Sequence, residues 1–155
     1  MVKSYKGAQI PQEKSIELQP VSVADYMSSR LITFHPDQSI EEVITQLLQF
    51  RISGAPVVND QKELVGVISE GDCLKEVVKG KYHNLPILGG KVKEHMAKNV
   101  IHIRPETNIF EAAKMFLEKK IRRFPVLDES GKLIGQISQK DVMRAVQNIK
   151  SETWH

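Results

Sequence analysis

The chain has 155 residues, of which 41% are hydrophobic and 26% are charged, a balance typical of a soluble globular protein. This length supports one compact unit and leaves no room for a large catalytic domain beside it. The formal net charge of +3 is too small to indicate a nucleic-acid partner by itself, and no apolar run approaches membrane-spanning length.

Cysteine content and the first residues bear on location. Cys73 is the single cysteine, so the chain cannot form an intramolecular disulfide. The stretch from Met1 to Gly7 lacks the apolar core of a signal peptide. Together these features predict a cytoplasmic, reducing location. Residues 1–20 show no sustained periodicity, and we predict that they form an N-terminal arm.

The dominant feature is an internal repeat with a constant offset. Gly66 to Asp72 (GVISEGD) returns as Gly135 to Asp141 (GQISQKD), and residues 23–77 align without a gap with residues 92–146, at numbers that differ by 69. Copies this small should pack on each other to share a core. We predict an arm at 1–20, a first copy at 21–77, a linker at 78–91, a second copy at 92–148 and a tail at 149–155.

The first copy opens with a predicted helical turn from Val23 to Met27. A short extended stretch, Leu31 to Phe34, follows it and stops before Pro36. A helix comes next, because Ser39 and Glu42 have the spacing of a capping box. Its apolar face repeats at helical spacing and comprises Ile40, Val43, Ile44, Leu47 and Leu48.

Two apolar runs separated by a polar turn predict a β-hairpin after this helix, from Ala55 to Val58 and from Leu64 to Ile68. A closing helix begins near Ser69. The second copy repeats this order with Asn108 as helix cap, an apolar face of Ile109, Ala112, Ala113, Phe116 and Leu117, a hairpin of Phe124–Leu127 and Leu133–Ile137, and a helix from Ser138. Each copy therefore reads βαββα, which predicts an α+β fold.

A Ser-x-x-Asp motif closes each hairpin: Ser69 and Asp72 in the first copy, Ser138 and Asp141 in the second. A helix N-terminus carries unpaired N–H groups and a partial positive charge, which favour a phosphate. A carboxylate one turn later can accept hydrogen bonds from both hydroxyls of a ribose. The same spacing describes an ordinary helix cap, so both a capping role and a nucleoside-binding role fit the motif.

Basic residues distinguish the second copy from the first. Arg122 and Arg123 precede its first hairpin strand, where the first copy has Ser53 and a glycine, and Lys140 precedes Asp141. Arginine suits phosphate because its planar fork donates two parallel hydrogen bonds, although a solvated basic surface explains the same residues. These cations make the second copy the stronger candidate for ligand binding.

These residues together resemble a tandem pair of CBS domains, the modules named after cystathionine β-synthase. The resemblance covers most of the chain and rests on Met27 and Met96, Pro36 and Pro105, the strand starts SGAPV (53–57) and RRFPV (122–126), and the two G-h-I-S-x-x-D segments. It implies two βαββα subdomains packed sheet to sheet by pseudo-twofold symmetry. It also implies a ligand-sensing module with adenosine nucleotides, or related adenosyl ligands, in two clefts between the copies.

The resemblance adds positions to the candidate site. Thr33 and its counterpart His102 lie in the segment that lines the adenine side of the cleft, whereas Ile52 and Ile121 would sandwich an adenine; packing in the core is the alternative role for these side chains. An arginine of the second copy could meet the phosphate of a nucleotide whose ribose Asp72 holds. The implied set is Thr33, Ile52, Ser53, Ser69, Asp72, His102, Ile103, Ile121, Arg122, Arg123, Ser138, Lys140 and Asp141.

We therefore predict a non-enzymatic regulatory module that binds AMP, ADP or ATP, requires no cofactor, forms a homodimer and signals to a separate effector protein by a conformational shift. The histidines and Cys73 lack metal-ligand or nucleophile spacing, so we predict neither a metal site nor a catalytic residue. One alternative is a nucleic-acid-binding module with the basic patch Lys119, Lys120, Arg122, Arg123, Lys140 and Arg144, which the aromatic content of 6% disfavours. The other is a structural dimerisation module with empty clefts.

Overall fold

The computed structural model describes residues 21–83 and 88–153. The predicted N-terminal arm and the end of the predicted tail lie outside these residues. In chain order the elements are α1 (Val23–Tyr26), α2 (Ile40–Phe50), β1 (Gly54–Val58), β2 (Leu64–Ser69), α3 (Glu70–His83), α4 (Val92–His95), α5 (Ile109–Lys119), β3 (Arg123–Leu127), β4 (Leu133–Ser138) and α6 (Gln139–Thr153). Within the described ranges, no helix combines the length and apolar character needed to cross a membrane.

The chain divides into two compact units, each built from separated segments. Of the described residues, unit 1 contains 21–27, 105–123 and the part from Ile137 onward, and unit 2 contains the part from Ser28 to Arg104 together with 124–136. Each unit therefore contains residues of both sequence copies.

In unit 1, the opening turn of the first copy is bound by the second copy. The Val23 N–H donates to the Thr107 carbonyl at 2.8 Å, and the Ile109 N–H donates to the Val21 carbonyl at 3.0 Å. The Val23 side chain is fully buried. The first copy thus supplies backbone acceptors at the start of α5, where the helix cannot satisfy its own N–H groups.

Unit 2 contains the reciprocal arrangement. The Val92 N–H donates to the Gln38 carbonyl at 2.9 Å, and the Ile40 N–H donates to the Gly90 carbonyl at 3.0 Å. These donors and acceptors stand 69 positions from their counterparts in unit 1, so the offset of the sequence repeat also relates the hydrogen bonds between copies.

The helix starts confirm the predicted caps. The Ser39 Oγ accepts from the Glu42 N–H, and the Glu42 carboxylate accepts from the Ser39 N–H, both at 3.1 Å. The Asn108 side chain accepts from the Phe110 N–H at 2.7 Å. Local sequence spacing alone fixes these contacts because donor and acceptor lie within one helical turn.

The predicted first strand of each copy is reduced to a single bridge position. The Phe34 N–H donates to the Pro56 carbonyl, and the Val58 N–H donates back to Phe34, but the pairing extends no further. Ile103 forms the corresponding bridge with Val126. The stretch from Leu31 to Phe34 is therefore not a regular strand. The hairpin strands β1 and β2 do pair antiparallel as predicted, and β3 pairs with β4.

Unit 2 has a continuous core beneath its hairpin. It comprises Phe34, Ile40, Val43, Leu47, Ala55, Val57, Ile68, Cys73 and Val92. In unit 1, α5 packs against α6, and the buried hydrophobic side chains of the unit are Val23, Ile109, Ala112, Phe116, Ile137, Val142 and Ala145.

One sequence prediction about the helices needs correction. Leu48 and Leu117, predicted on the apolar faces of α2 and α5, are 74% and 81% exposed. They stand last in each apolar series, at the edge of a face whose centre is buried. In addition, α3 continues to His83, into the predicted linker, and α6 continues to Thr153, into the predicted tail.

A buried contact between Glu76 and His95 joins α4 to α3 in unit 2. Glu76 is 4% exposed; its Oε1 lies 2.7 Å from Nε2 of His95, and its Oε2 accepts from the Gly90 N–H at 3.0 Å. The corresponding positions of the other copy hold Ala145 and Tyr26, which cannot form an ion pair. Unit 2 therefore contains a buried carboxylate–imidazole contact that has no equivalent in the other copy.

Replacement of Gly90 by alanine should destabilise the protein by about 2 kcal/mol or more, because it displaces a buried, hydrogen-bonded carboxylate. A Cβ at Gly90 would lie 2.5 Å from both Glu76 carboxylate oxygens. Gly71→Ala is the matched control: its Cβ would meet only the Ser69 Oγ, at 3.8 Å, within helix α3. Urea unfolding measures both variants, and equal stability of Gly90→Ala and wild type would contradict the close contact.

Candidate functional site

In unit 2, three predicted site residues meet where β2 passes into α3. The Ser69 N–H and Oγ both donate to Oδ2 of Asp72 at 2.9 Å, and the Asp72 N–H donates back to the Ser69 Oγ at 3.4 Å. The Glu70 N–H, the first of α3, donates to the Ser53 carbonyl at 2.9 Å. The hairpin and the helix N-terminus thus bring Ser53, Ser69 and Asp72 together.

In unit 1, the second Ser-x-x-Asp forms the same reciprocal cap. The Ser138 N–H donates to Oδ2 of Asp141 at 2.8 Å, and the Asp141 N–H donates to the Ser138 Oγ at 3.2 Å. Asp141 is 8% exposed. The capping role is therefore present in both copies, and a ligand at either aspartate would use a carboxylate that already orients the helix start.

A cation lies three residues after each aspartate, on the same helix. Nη2 of Arg144 lies 2.5 Å from Oδ1 of Asp141, within hydrogen-bonding distance. Nζ of Lys75 lies 3.7 Å from Oδ1 of Asp72, which is an ion pair without a hydrogen bond. The sequence pattern placed Arg144 only in a basic patch and gave no sign that Lys75 is a partner of the site.

The basic residues predicted to meet phosphate are all exposed. Arg122 and Arg123 stand at the start of β3, and Lys140 stands in the first turn of α6. Because β3 and β4 form a hairpin, the start of β3 lies beside the end of β4, where Ser138 stands. Arg123, Ser138 and Asp141, all residues of unit 1, therefore lie at the same end of the β3–β4 hairpin.

The residues expected on the adenine side differ in exposure. Thr33, Ile52 and Ile121 are half-buried, and His102 is exposed. Ile103 is 3% exposed and belongs to the buried hydrophobic core. The buried position follows from its bridge to the hairpin, which turns the side chain inward.

The structure also gathers three metal-ligand side chains that sequence spacing did not indicate. Glu76, Glu94 and His95 place ligand atoms within 4.8 Å of one another. Their hydrogen bonds are already made: Glu76 pairs with His95, and the Glu94 carboxylate accepts from the Lys91 N–H at 2.9 Å. That backbone hydrogen bond holds the pKa of Glu94 below its ordinary value. The three side chains therefore already hold α4 against α3 and the chain before it through hydrogen bonds.

The chain is similar in sequence and in structure to known proteins. The family model for the CBS domain matches residues 23–79 and 92–148. The CBS domain-containing protein CBSX2 of Arabidopsis thaliana is 32% identical over 85% of this chain and 66% of its own length. The protein MJ1426 of Methanocaldococcus jannaschii is 30% identical over 80% of this chain and 90% of its own length. The chain thus spans about two thirds of CBSX2 and most of MJ1426.

Two solved structures similar to this chain contain adenosyl ligands. The structure of CBSX2 in complex with AMP is 35% identical, has a TM-score of 0.72, and the match covers 83% of this chain and 98% of that one. The CBS domain pair of MJ0100 in complex with 5′-methylthioadenosine and S-adenosyl-L-methionine is 25% identical, has a TM-score of 0.65, and the match covers 84% of this chain and 98% of that one.

Cys73 should be chemically inert in the folded protein. It is 3% exposed, and burial raises the pKa of its thiol, with the neighbouring Asp72 carboxylate adding to the shift. Since the thiolate is the reactive form, we expect alkylation by iodoacetamide at pH 8 to be at least about tenfold slower in the native protein than in urea. Mass spectrometry measures the two rates, and equal rates would contradict the buried position.

Proposed function

The chain belongs to the CBS-domain family, and on that premise we propose that it is a regulatory module that binds adenosine nucleotides at its two Ser-x-x-Asp helix N-termini. One recurrence carries the proposal: in both copies a serine at a strand end and an aspartate in the first helical turn hold the same geometry. The adenosyl ligands of the CBSX2 and MJ0100 structures support it.

We expect the site to bind the ribose and the phosphate of the ligand through different groups. Asp72 or Asp141 accepts hydrogen bonds from the ribose hydroxyls, since a carboxylate offers acceptor oxygens to a vicinal diol. The helix N-terminus and the exposed cations Arg123 and Lys140 attract phosphate. AMP, S-adenosylmethionine and methylthioadenosine share the adenosine part, so the ribose contact is the common element of recognition.

The proposed module is not an enzyme and requires no cofactor. Binding acts through linkage: a nucleotide that prefers one conformation of the chain increases the population of that conformation by its differential affinity. The change in conformation is recognised by a separate effector protein. The chain is 30% identical to the inosine-5′-monophosphate dehydrogenase of Methanocaldococcus jannaschii but spans only 25% of that enzyme, so the likeness does not extend to most of its length.

Exposed apolar side chains favour a homodimer. Leu48 and Leu117, at corresponding positions of the two copies, are 74% and 81% exposed, and Leu74 and Met143, also corresponding, are 63% and 62% exposed. In unit 1, Met143 also lines an open cavity of about 580 Å³ on α6. Apolar faces repeated at this offset suit a second copy of the chain, because a twofold dimer joins like surfaces without leaving an open end.

Isothermal titration with adenosine, AMP, ADP, ATP and S-adenosylmethionine tests the nucleotide proposal. We expect saturable binding of at least one of these ligands, weakened about tenfold at the altered site by Asp72→Asn or Asp141→Asn, because the amide NH2 group of asparagine cannot accept a hydrogen bond from a ribose hydroxyl. Asparagine keeps an oxygen for the helix cap.

Asp25→Asn is the matched control for the titrations. Asp25 accepts from the Ser22 N–H at 3.0 Å in the same Ser-x-x-Asp cap, but at a four-residue helix without a hairpin before it. This variant should bind like wild type. Absence of binding for every ligand, or equal weakening by all three variants, would overturn the proposal.

The homodimer proposal predicts that the paired change Leu48→Lys and Leu117→Lys yields a monomer, because charges in an apolar interface lose their hydration. Light scattering coupled to size exclusion measures the mass. Phe110→Lys is the control, since Phe110 is 60% exposed near the start of α5 and its counterpart in the first copy is Glu41. A monomeric wild type would contradict the proposal.

A further inference from the structure

The two candidate aspartates differ in how their carboxylate oxygens are engaged. In Asp141, Oδ2 accepts from the Ser138 N–H at 2.8 Å, and Oδ1 accepts from Nη2 of Arg144 at 2.5 Å. Both oxygens of this carboxylate therefore have donors from the chain itself.

Asp72 has a different distribution of partners. Both Ser69 donors converge on Oδ2, at 2.9 Å each. Oδ1 faces only the Lys75 ammonium, at 3.7 Å, and within residues 21–83 and 88–153 it accepts no hydrogen bond. An incoming hydroxyl could reach Oδ1 of Asp72 without displacing a hydrogen-bonded group.

The sequence difference behind this is one residue. Lys75 and Arg144 occupy corresponding positions, three residues after their aspartates. A guanidinium spreads its donors over a planar fork and reaches the carboxylate with a charge-assisted hydrogen bond, whereas the lysine ammonium here remains a distant point charge. The Arg144 side chain is 59% exposed, so the pair is screened by water and can be displaced.

We propose that Arg144 competes with the ribose hydroxyls for the Asp141 carboxylate, and that the ligand consequently fills the Asp72 site at lower concentration than the Asp141 site. The inference rests on the proposed nucleotide-binding function and adds the order in which its two sites fill. It reverses the expectation from sequence, which favoured the second copy because of Arg122, Arg123 and Lys140. Those cations act on phosphate, whereas Arg144 acts on the carboxylate that the ribose needs.

The decisive probe is adenosine, which has the ribose diol but no phosphate. In an Asp72→Asn background, which leaves the Asp141 site for measurement, Arg144→Ala should tighten adenosine binding about threefold to tenfold. Arg144→Gln repeats the test with a longer, uncharged side chain, and the melting temperature of each variant verifies folding. In an Asp141→Asn background, Lys75→Ala should change adenosine affinity less than about twofold, because no hydrogen bond is lost.

The possible results distinguish failure of the Arg144 proposal from failure of the proposed nucleotide-binding function. Tighter adenosine binding in both Arg144 variants, with the Asp72 site the tighter site in wild type, supports the competitor role. Unchanged adenosine affinity together with weaker AMP binding would show that Arg144 binds phosphate instead, and would overturn the inference while leaving the nucleotide module intact. A wild type that binds no adenosine compound would overturn the proposed function and the inference together.

Discussion

The reciprocal binding of the two opening turns is the constraint on which the rest of the structure depends. Helices α1 and α4 have four residues each, too few to stabilise themselves in water. Each is held by backbone hydrogen bonds to the other copy, as at Val23 with Thr107 and at Val92 with Gln38. Neither copy can fold to completion alone, because each one completes the start of a core helix in the other. The hairpin turns add to this link, since the Leu133 N–H donates to the Lys62 carbonyl at 3.0 Å.

The backbone hydrogen bonds between the opening turns recur in both copies, whereas several neighbouring side chains differ between the copies. The Ser-x-x-Asp caps, the hairpins and the opening turns recur at the constant offset. Glu76 aligns with Ala145, so the Glu76–His95 contact that joins α4 to α3 does not recur at α1. There the Asn148 side chain instead donates to the Tyr26 hydroxyl at 2.7 Å. The two copies therefore share the backbone contacts between opening turns and helix starts, and they differ in the side chains near these contacts.

Stability and the proposed function share the same carboxylates. Asp72 and Asp141 each orient the first turn of a long helix, and each is the proposed ribose contact. A cap normally contributes about 1 kcal/mol to helix stability. A ligand that uses only the acceptor capacity left over by the cap keeps this contribution, and it can bind without unfolding the helix start. The difference between the copies then lies in what occupies that remaining capacity, a distant ammonium at Asp72 or a hydrogen-bonded guanidinium at Asp141.

The sequence by itself determined the duplication, the α+β class, the hairpins and the helix caps, because each depends on residues within one turn or on adjacent runs of the chain. The Ser39 and Asn108 caps could be located without coordinates for this reason. Only the tertiary structure decided which edge of the apolar faces stays exposed, as at Leu48 and Leu117, and that the first strands shorten to bridges. It also decided the Glu76–His95 pair, since these residues are 19 positions apart and no local rule joins them. The contact of Arg144 with Asp141 depends on which of several side-chain rotamers reaches the carboxylate, and that choice is made by packing and charge in three dimensions.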